Sequence, residues 1–281
     1  MTGRSGHQPV AGAPRAPITH FFRAGLANVE NVRRQEPLPE TADELCAAAR
    51  LTGATDATIH LGAAATETNV KALSAQGRLA EARVVHFATH GLLAGEAEAI
   101  AAAKGEPALI LTPPDEASEE DDGLLTASEV ALLKLDADWV ILSACNTAAG
   151  DATFGAEALS GLARAFFYAG ARALLVSHWY VDSDATVALI TETFNALHAD
   201  PALGRAEALR RAMAASIAAG GRAAHPAVWA AFVVVGEGAS HQAPPAVRTT
   251  VPKLPTKGPQ STAKAKPPSS ERDWKASVWK N

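Results

Sequence analysis

The sequence predicts a three-layer α/β domain over residues 36–238, with a mostly parallel sheet covered by helices on both faces. Two observations lead to this prediction. The candidate strands are continuous apolar runs, of which WVILSA at 139–144 is the clearest, so they are expected to be buried on both faces. These runs alternate with helical segments of about ten residues or more, which is the order that parallel strands with crossover helices require.

Each predicted element follows from a short local pattern. Runs of apolar and β-branched residues predict strands at 58–61, 83–88, 109–111, 139–144, 173–177 and 231–235. Amphipathic or alanine-rich segments predict helices at 41–50, 66–74, 126–133, 155–169, 183–198 and 206–219. Thr41 and Glu44 have the spacing of a capping box, so the first helix is expected to begin at Thr41.

The two ends of the chain are predicted to be largely disordered. Residues 1–35 are rich in Pro, Gly and Arg without a sustained period, and 239–281 form a basic, Pro- and Lys-rich tail. From Arg248 onward the tail carries eight basic and two acidic residues, whereas the whole chain has a net charge of −5. The body is therefore acidic, which gives no case for a nucleic-acid partner.

The composition predicts a cytoplasmic protein. No apolar run approaches the ~20 residues of a transmembrane helix, so no membrane partner is expected. The N-terminal residues MTGRSGHQPV lack the apolar stretch of a secretory signal. Two cysteines cannot build a disulfide framework, and nothing in their spacing indicates an oxidising compartment.

Two of the predicted strands end in reactive side chains. The run RVVHFA leads into His90, and WVILSA leads into Cys145. Because working residues gather beyond the carboxyl ends of parallel strands, we expect these two side chains to meet there. Cys145 follows His90 by 55 residues, which matches the order and approximate spacing of the caspase pair.

This pair predicts nucleophilic catalysis by a thiol. An imidazole next to a thiol raises the thiolate fraction or takes the proton, so Cys145 is expected as nucleophile and His90 as general base. Gly91 leaves room for a substrate carbonyl, and its N–H and that of Cys145 are expected to hold the oxyanion. The sequence lacks a G-x-S-x-G elbow and a phosphate-binding loop, and no metal or organic cofactor is expected.

His86 stands four residues before His90 and gives HFATH the look of a metal motif. The metalloprotease version of that motif needs a helix and a Glu after the first His. On an extended segment the two histidines would lie ~13 Å apart, too far to share a metal. His86 is therefore expected to be a buried residue of the core or of the surroundings of the site.

Four segments together resemble CHAT domains, which are caspase-related domains often found C-terminal to TPR repeats in bacteria. They are HFATHGLLAGE (86–96), DDGLLTASEVALLKLDADWVILSACNTAAGD (121–151), GAEALSGLARAFFYAGARALLVSHWYVDSDAT (155–186) and HPAVWAAFVVVGEG (225–238). The resemblance implies a three-layer caspase-like fold, a bacterial protein and a peptidase that acts on a protein or peptide substrate. The family's "ATHG" histidine and "SAC" cysteine fall here on His90 and Cys145.

The resemblance also implies a substrate pocket near the predicted strand 173–177. In caspase relatives, loops at this position shape the pocket for the residue before the cut bond; the corresponding residues here include Ser177, Trp179 and Asp182. Trp179 is expected to form a wall, and a buried carboxylate of Asp182, or else of Asp184, would favour Lys or Arg. Asp182 or Ser183 is placed at least as well to cap the helix that follows, so both alternatives stay open.

The sequence departs from the family in two places. Upstream of Leu38, the segment RAGLANVENVRRQE does not provide the apolar strand that the family usually has. A strand supplied by residues 15–35 would favour a working enzyme, and its loss would favour a catalytically silent interaction module. No TPR-like repeats precede the domain in this sequence, so it is either a truncated family member or meets a TPR-like regulator as a separate chain.

Overall fold

The computed structural model describes residues 25–101, 106–143, 161–179 and 182–239. The strands in these ranges are β1 (Val84–Phe87), β2 (Gly91–Leu92), β3 (Ala108–Ile110), β4 (Leu124–Thr126), β5 (Trp139–Leu142), β6 (Ala173–Ser177) and β7 (Phe232–Gly236). The helices are α1 (Val29–Arg33), α2 (Thr41–Thr52), α3 (Glu67–Ala75), α4 (Arg78–Glu81), α5 (Ala94–Ala101), α6 (Ala127–Val130), α7 (Gly161–Ala169), α8 (Ser183–Ala199), α9 (Arg205–Ala219) and α10 (Pro226–Trp229).

The larger sheet has the strand order β1-β5-β6-β7. The first three strands are parallel, and only β7 runs antiparallel, at the far edge. Every residue of β5 and β6 is buried, as expected for strands that are covered on both faces. The predicted mostly parallel sheet is confirmed.

Helices cover both faces of this sheet, because successive strand residues point to opposite sides. On one face Phe87 packs against Phe166 of α7, with ring centroids 5.5 Å apart. On the other face Trp139 packs against Phe194 of α8, with centroids 5.6 Å apart, in a cluster to which α2 and α9 also contribute. The predicted three-layer architecture is confirmed.

A smaller antiparallel sheet, in the order β2-β3-β4, follows the carboxyl end of β1. Its buried residues pack with Ala27 and Val32, which flank and form α1. The Ala27 N–H also donates to Asp122 Oδ2 at 2.8 Å. Residues 29–33 therefore form a helix in a segment that the sequence predicts to be disordered, because Ala27 and Val32 pack on this second apolar surface.

The predicted strand at 58–61 is wrong. Asp56–Thr58 form a 3₁₀ turn, and Ile59 and Leu61 then adopt extended backbone angles. No described strand pairs with this segment, so it does not become part of either sheet.

The predicted capping box at Thr41 is also wrong. Glu40 is the N-cap of α2, and the Thr41 hydroxyl donates to the Leu38 carbonyl at 2.6 Å. Glu44 is only 1% exposed and lies against the sheet instead of turning back to the helix start. By contrast, Thr126 and Glu129 form a complete capping box at the start of α6.

Lys71 of α3 contacts the carboxyl groups of Glu67 and Glu129 and thereby ties α3 to α6. The Asp122 N–H donates to Glu67 Oε2 at 3.0 Å, so the acidic loop before β4 is fastened to the same group. Burial raises the pKa of Glu67 from its ordinary value of 4.5 to about 8. Glu67 is therefore expected to keep a proton near neutral pH in the folded protein.

This shift predicts that the free energy of unfolding falls as the pH rises from 5 to 8. In that window the unfolded chain has already lost the Glu67 proton whereas the folded protein still holds it, so raising the pH favours unfolding. Glu67→Gln removes the titration, and we expect a flatter profile in urea unfolding measured across this range. Glu30→Gln, at an exposed position of α1, serves as the control and should keep the native slope. Equal slopes for Glu67→Gln and the native chain would contradict the assignment.

Candidate active site

The site is expected where the carboxyl ends of β1 and β5 meet, since these parallel strands are direct neighbours. Their register pairs Phe87 with Leu142. His90 stands three residues after Phe87, and Cys145 stands three residues after Leu142. Cys145 itself lies outside the described residues, which end on this side at Ser143.

His90 is held by the backbone of the segment that leads into α2. Its Nε2 lies 2.7 Å from the carbonyl oxygen of Glu36. Because a carbonyl only accepts hydrogen bonds, Nε2 carries the hydrogen, and in the neutral ring Nδ1 keeps the lone pair. This is the tautomer that a general base needs if it takes a proton through Nδ1.

The turn that carries His90 is fixed from the smaller sheet. The Ile110 N–H donates to the His90 carbonyl at 2.9 Å, and the Thr89 hydroxyl donates to the Ile110 carbonyl at 2.5 Å. Because the backbone groups of neighbouring strand residues point to opposite sides, the Gly91 N–H points away from β3. The Gly91 N–H therefore takes no part in the hydrogen bonds between β2 and β3, which is required if it is to donate to an oxyanion.

Asp182, at the start of α8, is the N-cap of that helix. Its Oδ1 accepts from the Ala185 N–H at 3.3 Å, and its Oδ2 lies 3.0 Å from Arg222 Nη2. The capping alternative is therefore confirmed, and the role of Asp182 in a substrate pocket stays a prediction.

Glu40 connects the start of α8 with His90. A hydrogen bond from Ser183 lowers the pKa of Glu40 below its usual range, and the charge of His90 lowers it too, whereas Asp182 raises it. His90 follows the carboxyl end of β1 and Asp182 follows that of β6, and both strands run parallel to β5.

The other two predicted pocket residues also lie at this edge. Ser177 is buried at the end of β6, and Trp179 follows two residues later with 40% of its surface exposed. The Trp179 Nε1–H donates to the Ala227 carbonyl of α10 at 3.1 Å, which fixes the indole ring. A rigid, half-exposed aromatic ring suits the predicted role of a pocket wall.

Sequence reasoning missed a buried polar group directly below this edge. His86 Nε2 lies 2.7 Å from Glu44 Oε1 and 2.9 Å from Ser143 Oγ. His86 is therefore a core residue, as predicted, but Glu44 was assigned to a helix cap. The i, i+4 pair Glu44 and Ala48, both buried on one side of α2, is the signal that could have shown which way Glu44 faces.

A cavity of about 610 Å³ lies beside His90, along the free side of β1. Its walls come from β1, α2, α3 and the extended segment at Ile59–Leu61, and most of the side chains are apolar. A cavity of this size is in the range of ligand and peptide sites.

No cluster of three or more His, Cys, Asp or Glu side chains suited to a metal ion occurs in the described ranges. The helices described there also include none that is both long enough and apolar enough to cross a bilayer.

The fold and the arrangement of its site agree with the comparison to known sequences. The family described as CHAT domain matches residues 5–237. This match covers most of the chain, so the protein belongs to the CHAT domain family, and its fold is the caspase-like one. The match begins well before residue 36 and includes most of the N-terminal segment that the structure does not describe.

Two similar proteins are far longer than this chain. Tetratricopeptide repeat protein 28 of Mus musculus is 29% identical over 231 residues, which cover 71% of this chain and 9% of that protein. The Homo sapiens protein of the same name is 28% identical over 227 residues, with 71% and 8% covered. The chain therefore spans less than a tenth of these relatives. Both are mammalian, so they lend no support to the predicted bacterial source.

Proposed function

We propose that this chain is a cysteine endopeptidase that cleaves a protein or peptide substrate with Cys145 as nucleophile and His90 as general base. One observation carries the proposal. In the register of two adjacent parallel strands, both residues stand at the same offset of three beyond a paired position. Strands so paired lie ~4.8 Å apart, so side chains at equal offsets can come within reach of each other.

The chemistry follows from the tautomer of His90. Its Nδ1 would take the proton of the Cys145 thiol, and the thiolate would attack the scissile carbonyl carbon. The Glu36 carbonyl, which accepts the Nε2 hydrogen, would stabilise the imidazolium ion that forms. The N–H groups of Gly91 and Cys145 would hold the oxyanion. His90 would then protonate the leaving amine, and water would hydrolyse the thioester with His90 again as base.

We further propose that the substrate carries Lys or Arg before the cut bond. Glu40 and Asp182 place two carboxylates near His90, and Trp179 offers a wall for an aliphatic stem. Arg222 partly neutralises Asp182, so we assign the basic side chain to Glu40, which accepts a hydrogen bond from Ser183.

A peptide library cleaved by the native chain tests both the activity and the preference. We expect cuts after Lys and Arg, a drop of about tenfold or more in kcat/KM for these peptides in Glu40→Gln, and no cuts with Cys145→Ala. Glu192→Gln, an exposed change on α8 away from its first turn, is the matched control and should cleave like the native chain. Cuts after Leu or Asp would overturn the preference, and equal cutting by Cys145→Ala would overturn the peptidase.

A catalytically silent interaction module is the second candidate, and one observation favours it. The described part of the segment 15–35 holds the helix α1 and no strand, and β1 is the edge of the described sheet. Residues 15–24 lie outside the described ranges. An intact chain that leaves the whole library uncut, while binding a protein partner, would support this second function.

We also propose that a TPR-like protein meets this domain as a regulator in trans and that the chain works in the cytoplasm. Both relatives are named as tetratricopeptide repeat proteins, and this supports a regulator that contains such repeats.

A further inference from the structure

A group of three polar side chains is buried below the carboxyl ends of β1 and β5, and no step of the proposed cleavage uses it. The group consists of His86 of β1, Glu44 of α2 and Ser143, which follows β5 directly. Only 8% of the His86 side chain and 1% of the Glu44 side chain are exposed. Buried polar groups cost stability unless they are satisfied, so their contacts should show what they hold in place.

The contacts of His86 determine which ring nitrogen carries its hydrogen. Nε2 lies 2.7 Å from Glu44 Oε1 and 2.9 Å from Ser143 Oγ, whereas Nδ1 is buried with no hydrogen-bond partner in the part of the chain that the structure describes. A carboxylate oxygen only accepts hydrogen bonds, so a lone pair on Nε2 would be repelled by it. The hydrogen of the neutral ring therefore lies on Nε2.

This hydrogen is directed at Ser143. Glu44 Oε1 lies beside the Nε2–H but forms no hydrogen bond within the described ranges, so the Ser143 hydroxyl oxygen is the acceptor. The hydroxyl hydrogen is then free to turn to the Phe87 carbonyl, whose oxygen lies 3.4 Å from Ser143 Oγ and also accepts the Ser143 N–H at 3.1 Å. Ser143 is thus fixed to β1 by its backbone, by its hydroxyl and by His86.

The direction of these hydrogen bonds excludes a second hydrolytic triad. A serine nucleophile needs an imidazole nitrogen that accepts its hydroxyl hydrogen, with the carboxylate on the other nitrogen. Here Glu44 and Ser143 both contact Nε2 of His86, and Nε2 donates to the hydroxyl. Ser143 is therefore not activated, and the arrangement instead suits a role in holding Ser143 in place.

One segment of the chain contacts both sides of the candidate dyad. The carbonyl of Glu36, before α2, fixes the Nε2 hydrogen of His90, and the Glu44 carboxyl of α2 fixes that of His86. Through His86 the second contact reaches the end of β5, the strand that leads to the nucleophile. Residues 36–44 therefore hold the base directly and the nucleophile strand through a second histidine.

We propose that His86, with its tautomer set by Glu44, is a positioning residue that fixes Ser143 and through it the Cys145 nucleophile. Cys145 follows Ser143 by two residues, which an extended chain spans in ~7 Å, so the place of Ser143 limits where the thiol can lie. The inference rests on the proposed peptidase and adds a residue that touches neither the substrate nor the thiol. Loss of the contact should lower kcat and leave KM unchanged, because it misplaces the thiol without altering substrate binding.

Ser143→Ala tests the contact with the smallest change, since it removes the hydroxyl and keeps the backbone bond to β1. We expect kcat, and the rate at which iodoacetamide alkylates Cys145, to fall about tenfold or more. Ser74→Ala is the matched control, because the Ser74 hydroxyl is also buried and accepts the Lys134 N–H at 2.9 Å. This control should lose stability but cleave and label like the native chain.

Two changes of His86 separate positioning from packing. His86→Gln keeps an N–H donor at the same number of bonds from Cβ, whereas His86→Phe keeps a ring beside Phe194, whose centroid lies 6.3 Å away, and removes the donor. We expect His86→Gln to retain the higher kcat and the faster alkylation, measured where guanidinium unfolding shows both variants to be folded. Nitrogen-15 NMR of the native chain should place the His86 hydrogen on Nε2.

Failure of the inference and failure of the peptidase give different results. If Ser143→Ala and Ser74→Ala label alike, if His86→Phe performs as well as His86→Gln, or if the His86 hydrogen lies on Nδ1, the positioning role is wrong and the peptidase stands. If alkylation of Cys145 is indifferent to His90→Ala, the peptidase itself is wrong, and the positioning role falls with it.

Discussion

Replacing His90 with alanine is expected to lower kcat/KM for the best library peptide by a factor of about 10² to 10⁴, the usual contribution of a positioned general base. Nδ1 of this imidazole is the nitrogen left to take the thiol proton, because the Glu36 carbonyl fixes the hydrogen on Nε2. The loss should be smaller at high pH, where Cys145 ionises without help. Steady-state kinetics from pH 6 to 9 measures both effects.

His198→Ala is the matched control for this change. His198 lies in the last turn of α8, 16 residues from the Asp182 cap, and its Nδ1 contacts the Leu51 carbonyl at 3.0 Å. A helix of this length separates the two ends by roughly 24 Å, so this variant should cleave like the native chain. Equal turnover by His90→Ala and His198→Ala would remove His90 from the mechanism.

Replacing Glu44 with alanine is expected to lower the free energy of unfolding by about 2 kcal/mol, because the buried His86 loses a polar neighbour. Glu44 is 1% exposed and its Oε1 lies 2.7 Å from His86 Nε2. Turnover should fall as well, since His86 also contacts Ser143, two residues before Cys145. Guanidinium unfolding and peptide cleavage measure the two effects.

Asp43→Ala changes the neighbouring carboxylate, which is exposed in the first turn of α2. Loss of its favourable position at the helix start should cost less than about 1 kcal/mol. Glu44→Gln keeps the shape of the side chain and should fall between the two alanine variants. If Glu44→Ala were no less stable than Asp43→Ala, the buried pair would not be a stabilising contact.

The sequence was sufficient for the parts of the fold that follow from long local patterns. β5 and β6 are continuous apolar runs, and α8 and α9 are long enough for their periodicity to be clear. The order of these elements also places His90 after β1 and Asp182 at the start of α8. In each case, local preference and tertiary packing favour the same structure.

The remaining features depend on contacts between distant residues. β2 and β4 have two and three residues, so their strand state comes from pairing with β3. Glu44 matches a capping pattern, yet burial beside His86 prevails over the cap. The carbonyl that holds His90 belongs to the backbone of Glu36. Every residue type has a backbone carbonyl, so the identity of residue 36 does not predict this contact.

The most direct test of the proposed peptidase is covalent labelling of the native chain with an electrophilic peptide ketone that carries Lys at the position before the reactive group. Mass spectrometry then locates the adduct. Cys46, which is partly buried in α2, is the internal reference thiol. The account predicts one adduct, on Cys145, formed at least roughly a hundredfold faster than any on Cys46 and slowed to the Cys46 rate by His90→Ala. Equal labelling of the two cysteines, or labelling of Cys145 that is indifferent to His90, would contradict it.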